Sequence, residues 1–104
     1  MSREVIDAAS EFFTRGCPGN VLIQRSAVLE ILKQLDEHGL QVYGMEGGPL
    51  YPDGSYMLKT ASCFDKNIMS GDPETARQIN KTAVLSVEED PADWSVYELR
   101  VAKV

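Results

Sequence analysis

The sequence has little of the chemistry on which small enzymes and metal sites depend. Its single histidine is His38, and its two cysteines, Cys17 and Cys63, lie far apart and form no CxxC pair. A nucleophile needs a base beside it, and a zinc site needs about four nitrogen, sulfur or oxygen ligands. A phosphate-binding loop, a dinucleotide fingerprint and a Gly-x-Ser-x-Gly elbow are also missing. We therefore expect no catalytic residue, no metal site and no cofactor.

The chain also has no cluster of positive charge and no long apolar run. Its ten lysines and arginines are spread along the sequence against sixteen acids, which gives a net charge of −6. Phosphate backbones and anionic membranes repel such a chain. No stretch resembles a signal peptide or approaches the roughly 18 apolar residues of a membrane span. These features predict a cytoplasmic protein with reduced cysteines that binds neither nucleic acid nor membrane.

Two helices are predicted in the first third of the chain. Apolar residues recur at helical spacing over residues 2–15, and Gly16 provides a left-handed stop. Ser26 is a suitable N-cap for a second helix over residues 27–38, and Gly39 is placed to end it. The short apolar run between the two helices is too short to assign.

A hairpin is predicted over the middle of the chain. Residues 40–45 alternate and are rich in strand formers, and either Leu40, Val42 and Gly44 or the set Gln41, Tyr43 and Met45 faces inward. The first set is the more apolar one and is favoured. Residues 51–55, Tyr-Pro-Asp-Gly-Ser, form a turn in which proline fixes φ and glycine accepts a positive φ. Residues 55–61 are the natural returning strand. Residues 94–104 alternate clearly and predict a further strand.

The remaining element starts clearly, but the sequence does not show where it ends. Residues 62–71 are predicted to be a loop, after which Asp72 and Pro73 mark a helix start. Residues 82–89 keep helical spacing, yet they also resemble a strand entering a turn, and both assignments stay open. The element order predicts an α+β fold in a single domain over residues 1–104. This fold is a small antiparallel sheet of three to four strands with two to three helices packed on it.

The most distinctive segment is acidic and ends in the only tryptophan. Four acids in six residues precede Trp94. An acidic rim beside an aromatic anchor is typical of a protein-binding surface, whereas the alternative is an exposed charged turn followed by a core tryptophan. The segment should lie on the surface and attract a basic partner. The predicted partner-binding residues are Glu88, Glu89, Asp90, Asp93, Trp94, Glu46, Tyr51 and Asp53. If the acidic segment is only a solvated turn, the hairpin of residues 43–57 is the next candidate.

One region of the chain resembles a known class of proteins. Val28-Leu29-Glu30-Ile31-Leu32 runs through His38-Gly39-Leu40 into Val42-Tyr43-Gly44-Met45-Glu46, and Tyr51-Pro52-Asp53-Gly54-Ser55 follows. This helix, strand with a Gly-x-Glu end, and Asp-Gly turn resemble small bacterial immunity proteins of polymorphic and contact-dependent toxin systems. The resemblance covers residues 28–60, about a third of the chain. It implies a cytoplasmic protein that binds one cognate toxin domain and blocks it by covering a basic active-site cleft.

Two other functional classes remain open from the sequence. The chain has the size of a small enzyme or small-ligand-binding domain with a pocket between sheet and helices, and a deep pocket with convergent polar groups would favour that class. It also has the size of a subunit that pairs through an exposed strand edge. The sequence specifies neither the partner nor the oligomeric state.

Overall fold

The computed structural model describes residues 4–60 and 72–104. Within these ranges three α-helices, one short 3₁₀ helix and five strands form an α+β fold, as predicted. The elements in chain order are β1 (Val5–Ile6), α1 (Ala9–Thr14), β2 (Leu22–Gln24), α2 (Arg25–Gln34), the 3₁₀ helix (Asp36–His38), β3 (Leu40–Gly48), β4 (Lys59–Thr60), α3 (Pro73–Glu89) and β5 (Val96–Lys103). None of the helices in the described part of the chain has the length and apolarity needed to cross a bilayer.

The five strands form one mixed sheet in the order β1-β2-β5-β3-β4. The central pairs are antiparallel, as predicted, whereas β1 lies parallel to β2, with Ile6 opposite Ile23. The prediction of a helix over residues 2–15 is therefore wrong at its start. Val5 and Ile6 are β-branched and extend the sheet, where Ile6 becomes fully buried. The helix begins only at Ala9, and Gly16 ends it with a positive φ of 79°.

The core lies between the sheet and its helices. Alternate residues of β5 face it, and their partners on β3 are Gly47 opposite Tyr97 and Met45 opposite Leu99. The ladder shifts between Val42 and Gly44, so one extra residue is inserted there. The predicted inward set is correct for Leu40 and Val42, which pack in the core, but the bulge reverses it after Val42, because Met45 is buried while Gly44 faces Arg100. The helices contribute mainly Phe12, Ala27, Val28, Ile31, Leu32, Ala83 and Val87.

Helix α2 begins two residues earlier than predicted. The short apolar run before it is strand β2, which pairs with β5 as far as Gln24 opposite Val96. Arg25 then donates its backbone N–H to the Ser95 carbonyl at 2.9 Å, and the helix starts at once. Gln24 is the N-cap residue, so Ser26 lies inside the helix and does not cap it. Gly39 ends the following 3₁₀ turn with a φ of 67°, as predicted.

Helix α3 starts as predicted and settles the assignment of residues 82–89. The Asp72 carboxylate accepts hydrogen bonds from the Thr75 N–H at 3.2 Å and from its hydroxyl at 2.7 Å, which lowers the pKa of Asp72. The helix then continues through Glu89, so the strand alternative is wrong. Ala76, Ala83 and Val87 recur at helical spacing and are buried, which fixes one face of α3 in the core.

The predicted hairpin is present, but its returning strand is short. Strand β4 pairs with β3 at Glu46 and Gly47, and Ala61 with the predicted loop of residues 62–71 lies outside the described residues. The turn of residues 51–55 closes with a 2.7 Å hydrogen bond from Tyr51 N–H to Ser55 O. A Cβ added to Gly48 would lie 1.7 Å from the Met57 carbonyl oxygen, so only glycine allows this close crossing.

Candidate functional site

Two segments meet where β3 ends and β5 begins. Ser95 donates its N–H to the Gly48 carbonyl at 3.0 Å, and its hydroxyl accepts the Leu50 N–H at 3.1 Å. The turn after α3 therefore lies directly beside the loop after β3. We call residues 49–57 and 88–95 together the end surface. Seven of the eight predicted partner-binding residues lie within these two segments, and Glu46 does not.

Within the described residues, the exposed acids of the segment 88–95 have no cationic partner. Glu88, Glu89 and Asp93 are exposed, and in residues 4–60 and 72–104 none of the three forms an ion pair. Glu88 and Glu89 also occupy the last turn of α3, where the helix macrodipole is negative. This last turn contains no basic residue. The arrangement concentrates negative potential at this end of the molecule.

Arg25 holds the acidic turn in shape. Its guanidinium donates to four backbone carbonyls: Val87 at 2.6 Å, Asp90 at 3.0 Å, Pro91 at 2.6 Å and Trp94 at 3.0 Å. The first of these belongs to the last turn of α3, whose carbonyls lack intrahelical partners. The guanidinium thus supplies from α2 the cation that α3 lacks. No sequence signal identified Arg25, because its partners are backbone groups more than 60 residues away.

Asp90 differs from the other three acids. It is half-buried, and its Oδ2 accepts a 2.8 Å hydrogen bond from the hydroxyl of buried Tyr97. Burial and this hydrogen bond both raise the pKa of Tyr97. The prediction that all four acids are freely exposed is therefore wrong for Asp90, because Asp90 satisfies a buried hydroxyl. Asp90 supports the turn and presents less of its charge to solvent.

Trp94 lies between the core and the surface. Its ring centroid is 6.4 Å from that of Tyr97, with the planes tilted by 60°, and it packs against the core. It also lines an open depression of about 390 Å³ together with Leu29 and Ala92. The core packing of Trp94 agrees with the alternative of a core tryptophan, but its position in the depression also makes it part of the end surface.

The loop of residues 49–57 adds apolar surface beside the acids. Leu50, Tyr51 and Met57 are 37%, 45% and 54% exposed, although large apolar side chains usually lie inside. At the tip, Asp53 accepts hydrogen bonds from the Ser55 N–H at 2.9 Å and its hydroxyl at 2.6 Å. These bonds lower the pKa of Asp53 and keep it ionised. The sequence prediction missed Leu50 and Met57, although two large apolar residues flanking a Pro-Asp-Gly turn were an available signal.

Glu46 lies apart from the exposed acids. Its neighbours Met45 and Gly47 face the core, so its side chain projects from the outer face of the sheet. It is half-buried and lies opposite Glu98, whose carboxylate binds Arg100 at 2.8 Å. The structure therefore places Glu46 within the sheet rather than on the end surface.

His38 and Cys17 occupy a different part of the molecule. The His38 ring stacks on Phe13 with the centroids 3.9 Å apart and the planes 9° from parallel. Both His38 and Cys17 line an open depression of about 430 Å³. Burial raises the pKa of Cys17, a shift opposite to the one that activates a thiolate. No group of three or more metal-ligating side chains occurs in the described ranges, and Cys63 lies outside them.

Comparison with known proteins adds no functional assignment. The sequence matches no protein-family model and no curated protein. The end surface must therefore be interpreted from its own geometry and charge.

Proposed function

We propose that this protein is a non-catalytic binding protein whose end surface docks on a basic protein domain. The observation that carries the proposal is the placement of Glu88 and Glu89, exposed and without ion pairs, at the negative end of α3. In its specific form, the protein is a cytoplasmic immunity protein that covers the active-site cleft of a cognate toxin domain.

The acids at the end of α3 oppose the local electrostatic preference of a helix. Carboxylates stabilise the N-terminus of a helix and destabilise its C-terminus. Each exposed carboxylate contributes about 0.3–1 kcal/mol. Departures from local preference without a gain in the fold are typical of functional sites. Here the nearest compensation is Arg25, which binds carbonyls and leaves the carboxylates unpaired. The negative charge is thus available to an external cationic surface.

The neighbouring apolar residues provide contact area that can add affinity. Exposed acids accelerate encounter with a basic partner but add little affinity. Leu50, Tyr51 and Met57 offer apolar and aromatic contact area, and such residues anchor protein interfaces. The loop that carries them is fixed to the acidic turn through Ser95. We infer that the apolar residues form the centre of the binding surface. Its acidic rim is formed by Glu88, Glu89 and Asp93 on one side and by Asp53 on the other.

Charge neutralisation tests the electrostatic half of the proposal. The first step is to sequence the genes beside the one for this protein, and a toxin domain encoded there, produced in an inactive form, is the partner to use. Neutralising the three exposed acids (E88Q/E89Q/D93N) should slow association by about tenfold at low salt, and the effect should shrink as salt rises. Asp90 is left unchanged because Tyr97 depends on it. The matched control, D7N/E30Q/E37Q, removes the same charge from exposed positions elsewhere and should change the rate much less.

One methionine variant and one leucine variant test the proposed role of the apolar residues. Met57 and Leu85 are 54% and 55% exposed, but only Met57 belongs to the end surface. Met57→Ala should raise the dissociation rate of the complex several-fold, whereas Leu85→Ala should leave it unchanged. Equal rates for both variants, together with unaltered association of the triple acid variant, would contradict the proposed surface. Failure of the purified protein to bind the adjacent toxin domain would contradict the immunity function itself.

A further inference from the structure

A second surface has the opposite charge and lies between α2 and α3. It is an open groove of about 400 Å³ with Leu32 and Val84 among the residues that line it. Leu32 is buried, whereas Val84 is half-buried and so offers part of its side chain to an occupant. We call this feature the α2–α3 groove. It is separate from the end surface, since none of its lining residues belongs to residues 49–57 or 88–95.

Three of the ten basic residues of this acidic chain converge on the groove. Lys33 comes from α2, and Arg77 and Lys81 come from successive turns of α3. In residues 4–60 and 72–104, neither lysine forms an ion pair. Arg77 is partly neutralised, with Asp36 at 3.9 Å and Glu74 at 3.4 Å. Asp36 and Asn80 also line the groove, so its lining combines apolar side chains with three cations and one acid and is net positive on a molecule whose net charge is −6.

We propose that the α2–α3 groove binds an acidic amphipathic helix of a protein partner. Its open shape covers only one side of an occupant, whereas a small apolar ligand needs most of its surface buried. A helix presents one apolar stripe to a groove and leaves its other face in water. Carboxylates flanking that stripe would meet Lys33 on one wall and Lys81 on the other. Charge complementarity therefore selects a helix bearing Asp and Glu over a neutral or basic one.

This inference does not depend on the proposed function. The end surface and the groove have opposite charge and different lining residues, so a partner of one is not expected to occupy the other. The two surfaces are neighbours, since Val84 of the groove lies one helical turn before Glu88 on α3, but they share no lining residue. Loss of toxin binding would leave the groove proposal untouched, and failure of the groove would leave the toxin proposal untouched.

The test uses the whole protein and two synthetic helical peptides. Both are about 18 residues long, so that they retain helicity, and share one apolar stripe. One peptide carries glutamates beside the stripe and the other carries lysines at the same positions. Titration followed by amide chemical shifts should move the signals of Lys33, Lys81 and Val84 with the acidic peptide. At low salt we expect it to bind at least about tenfold more tightly than the basic peptide.

Matched variants locate the binding site. Replacing both groove lysines (K33Q/K81Q) should weaken the acidic peptide about tenfold at low salt, whereas K59Q/K103Q, at exposed positions elsewhere, should not. Glutamine keeps the helix propensity and avoids placing an acid at the end of α2.

Four results would overturn the proposal. They are equal binding of the two peptides, equal loss in the two double variants, shifts that centre on the end surface, and no binding at all. Two alternative occupants have their own readouts. If dodecanoate below its micellar concentration moves the same signals and the acidic peptide does not, the groove binds a lipid-like anion instead. If dilution of the protein alone moves them, the occupant is a second copy of this chain.

Discussion

Helix α3 is attached to the rest of the molecule at two polar points that differ in what they hold. Midway along it, buried Asn80 accepts the Val42 N–H at 2.9 Å and donates to the Leu40 carbonyl at 2.9 Å. Its amide thus occupies the position of a neighbouring strand along this part of β3. At the C-terminal end, the half-buried Arg25 guanidinium binds four carbonyls of a turn. Asn80 completes the sheet, whereas Arg25 shapes a surface.

This difference separates residues that maintain the fold from residues that maintain the end surface. Loss of Asn80 leaves the buried Val42 N–H and the part-buried Leu40 carbonyl without this partner, and an unsatisfied buried group costs about 1–3 kcal/mol. Loss of Arg25 frees carbonyls that water can reach, so the local shape of the turn should suffer more than global stability. The comparison predicts that the free energy of unfolding changes most for the Asn80 variant, less for the Arg25 and Tyr97 variants and least for the Glu88/Glu89 double variant.

Asn80→Ala should have the largest effect on stability. We expect the free energy of unfolding to fall by about 3 kcal/mol, because two backbone groups of β3 and the Asp36 carboxylate lose a partner. Urea denaturation would measure the change. A loss below about 1 kcal/mol would mean that water or a neighbouring group replaces the amide, and the strand-like role of Asn80 would be wrong.

Arg25→Lys should cost less stability and disturb the turn more. Lysine keeps the positive charge near the end of α3 but cannot reach four carbonyls in a fixed planar geometry. We expect a loss of about 1–2 kcal/mol, with amide hydrogen exchange accelerating in residues 88–95 and remaining slow in β3. Binding through the end surface should weaken in parallel. Uniform acceleration across the sheet would contradict a local role for Arg25.

Tyr97→Phe should remove the second contact that supports the turn, the hydrogen bond to Asp90, and should change how stability depends on pH. The variant loses the hydrogen bond to Asp90 and about 1 kcal/mol at neutral pH. The pKa of Tyr97 is raised in the folded protein, so its stabilisation is complete below the unfolded value of about 10. It is lost as pH rises from there through the folded pKa. The stability difference between the wild-type protein and the variant should therefore shrink above about pH 10.

The Glu88/Glu89 double variant should show the smallest change in the free energy of unfolding, and it should be stabilised where the other variants are destabilised. Replacing Glu88 and Glu89 by glutamine removes two carboxylates from the negative end of α3. We expect the protein to become more stable by about 0.6 kcal/mol, twice the lower limit of about 0.3 kcal/mol for each carboxylate, while its association with a basic partner slows. Opposite shifts in thermal midpoint and association rate would show that these acids serve binding at the expense of stability. A destabilised variant would indicate that they have intramolecular partners in solution.

Much of the fold follows from local sequence signals. Asp72 and Pro73 marked the start of α3, Gly16 and Gly39 ended helical segments, and the alternation of residues 94–104 predicted strand β5. Signals of this kind depend only on residues a few positions apart. The errors have another origin. Residues 5–6 carry helical spacing but form a strand, because pairing with residues 22–23 decides their conformation.

The candidate site was predictable only in part for the same reason. The density of acids around Asp90 predicted an acidic surface segment, but the bond between Asp90 and Tyr97 depends on tertiary packing. The bulge that turns Met45 inward had no local marker. Asn80, by contrast, left a weak signal, since a residue of poor helix propensity stands on the apolar face of a predicted helix. A polar residue in such a position predicts a buried hydrogen-bonding role.

The bond between Leu50 and Ser95 joins positions 45 residues apart, and Arg25 reaches carbonyls 62 to 69 residues further along. The proposed binding surface is therefore discontinuous, and no single stretch of the chain contains it. A synthetic peptide copying residues 86–95 would carry the acids but lack the guanidinium that shapes their turn. Such a peptide should compete poorly with the intact protein. The surface exists only when folding has brought these distant segments together.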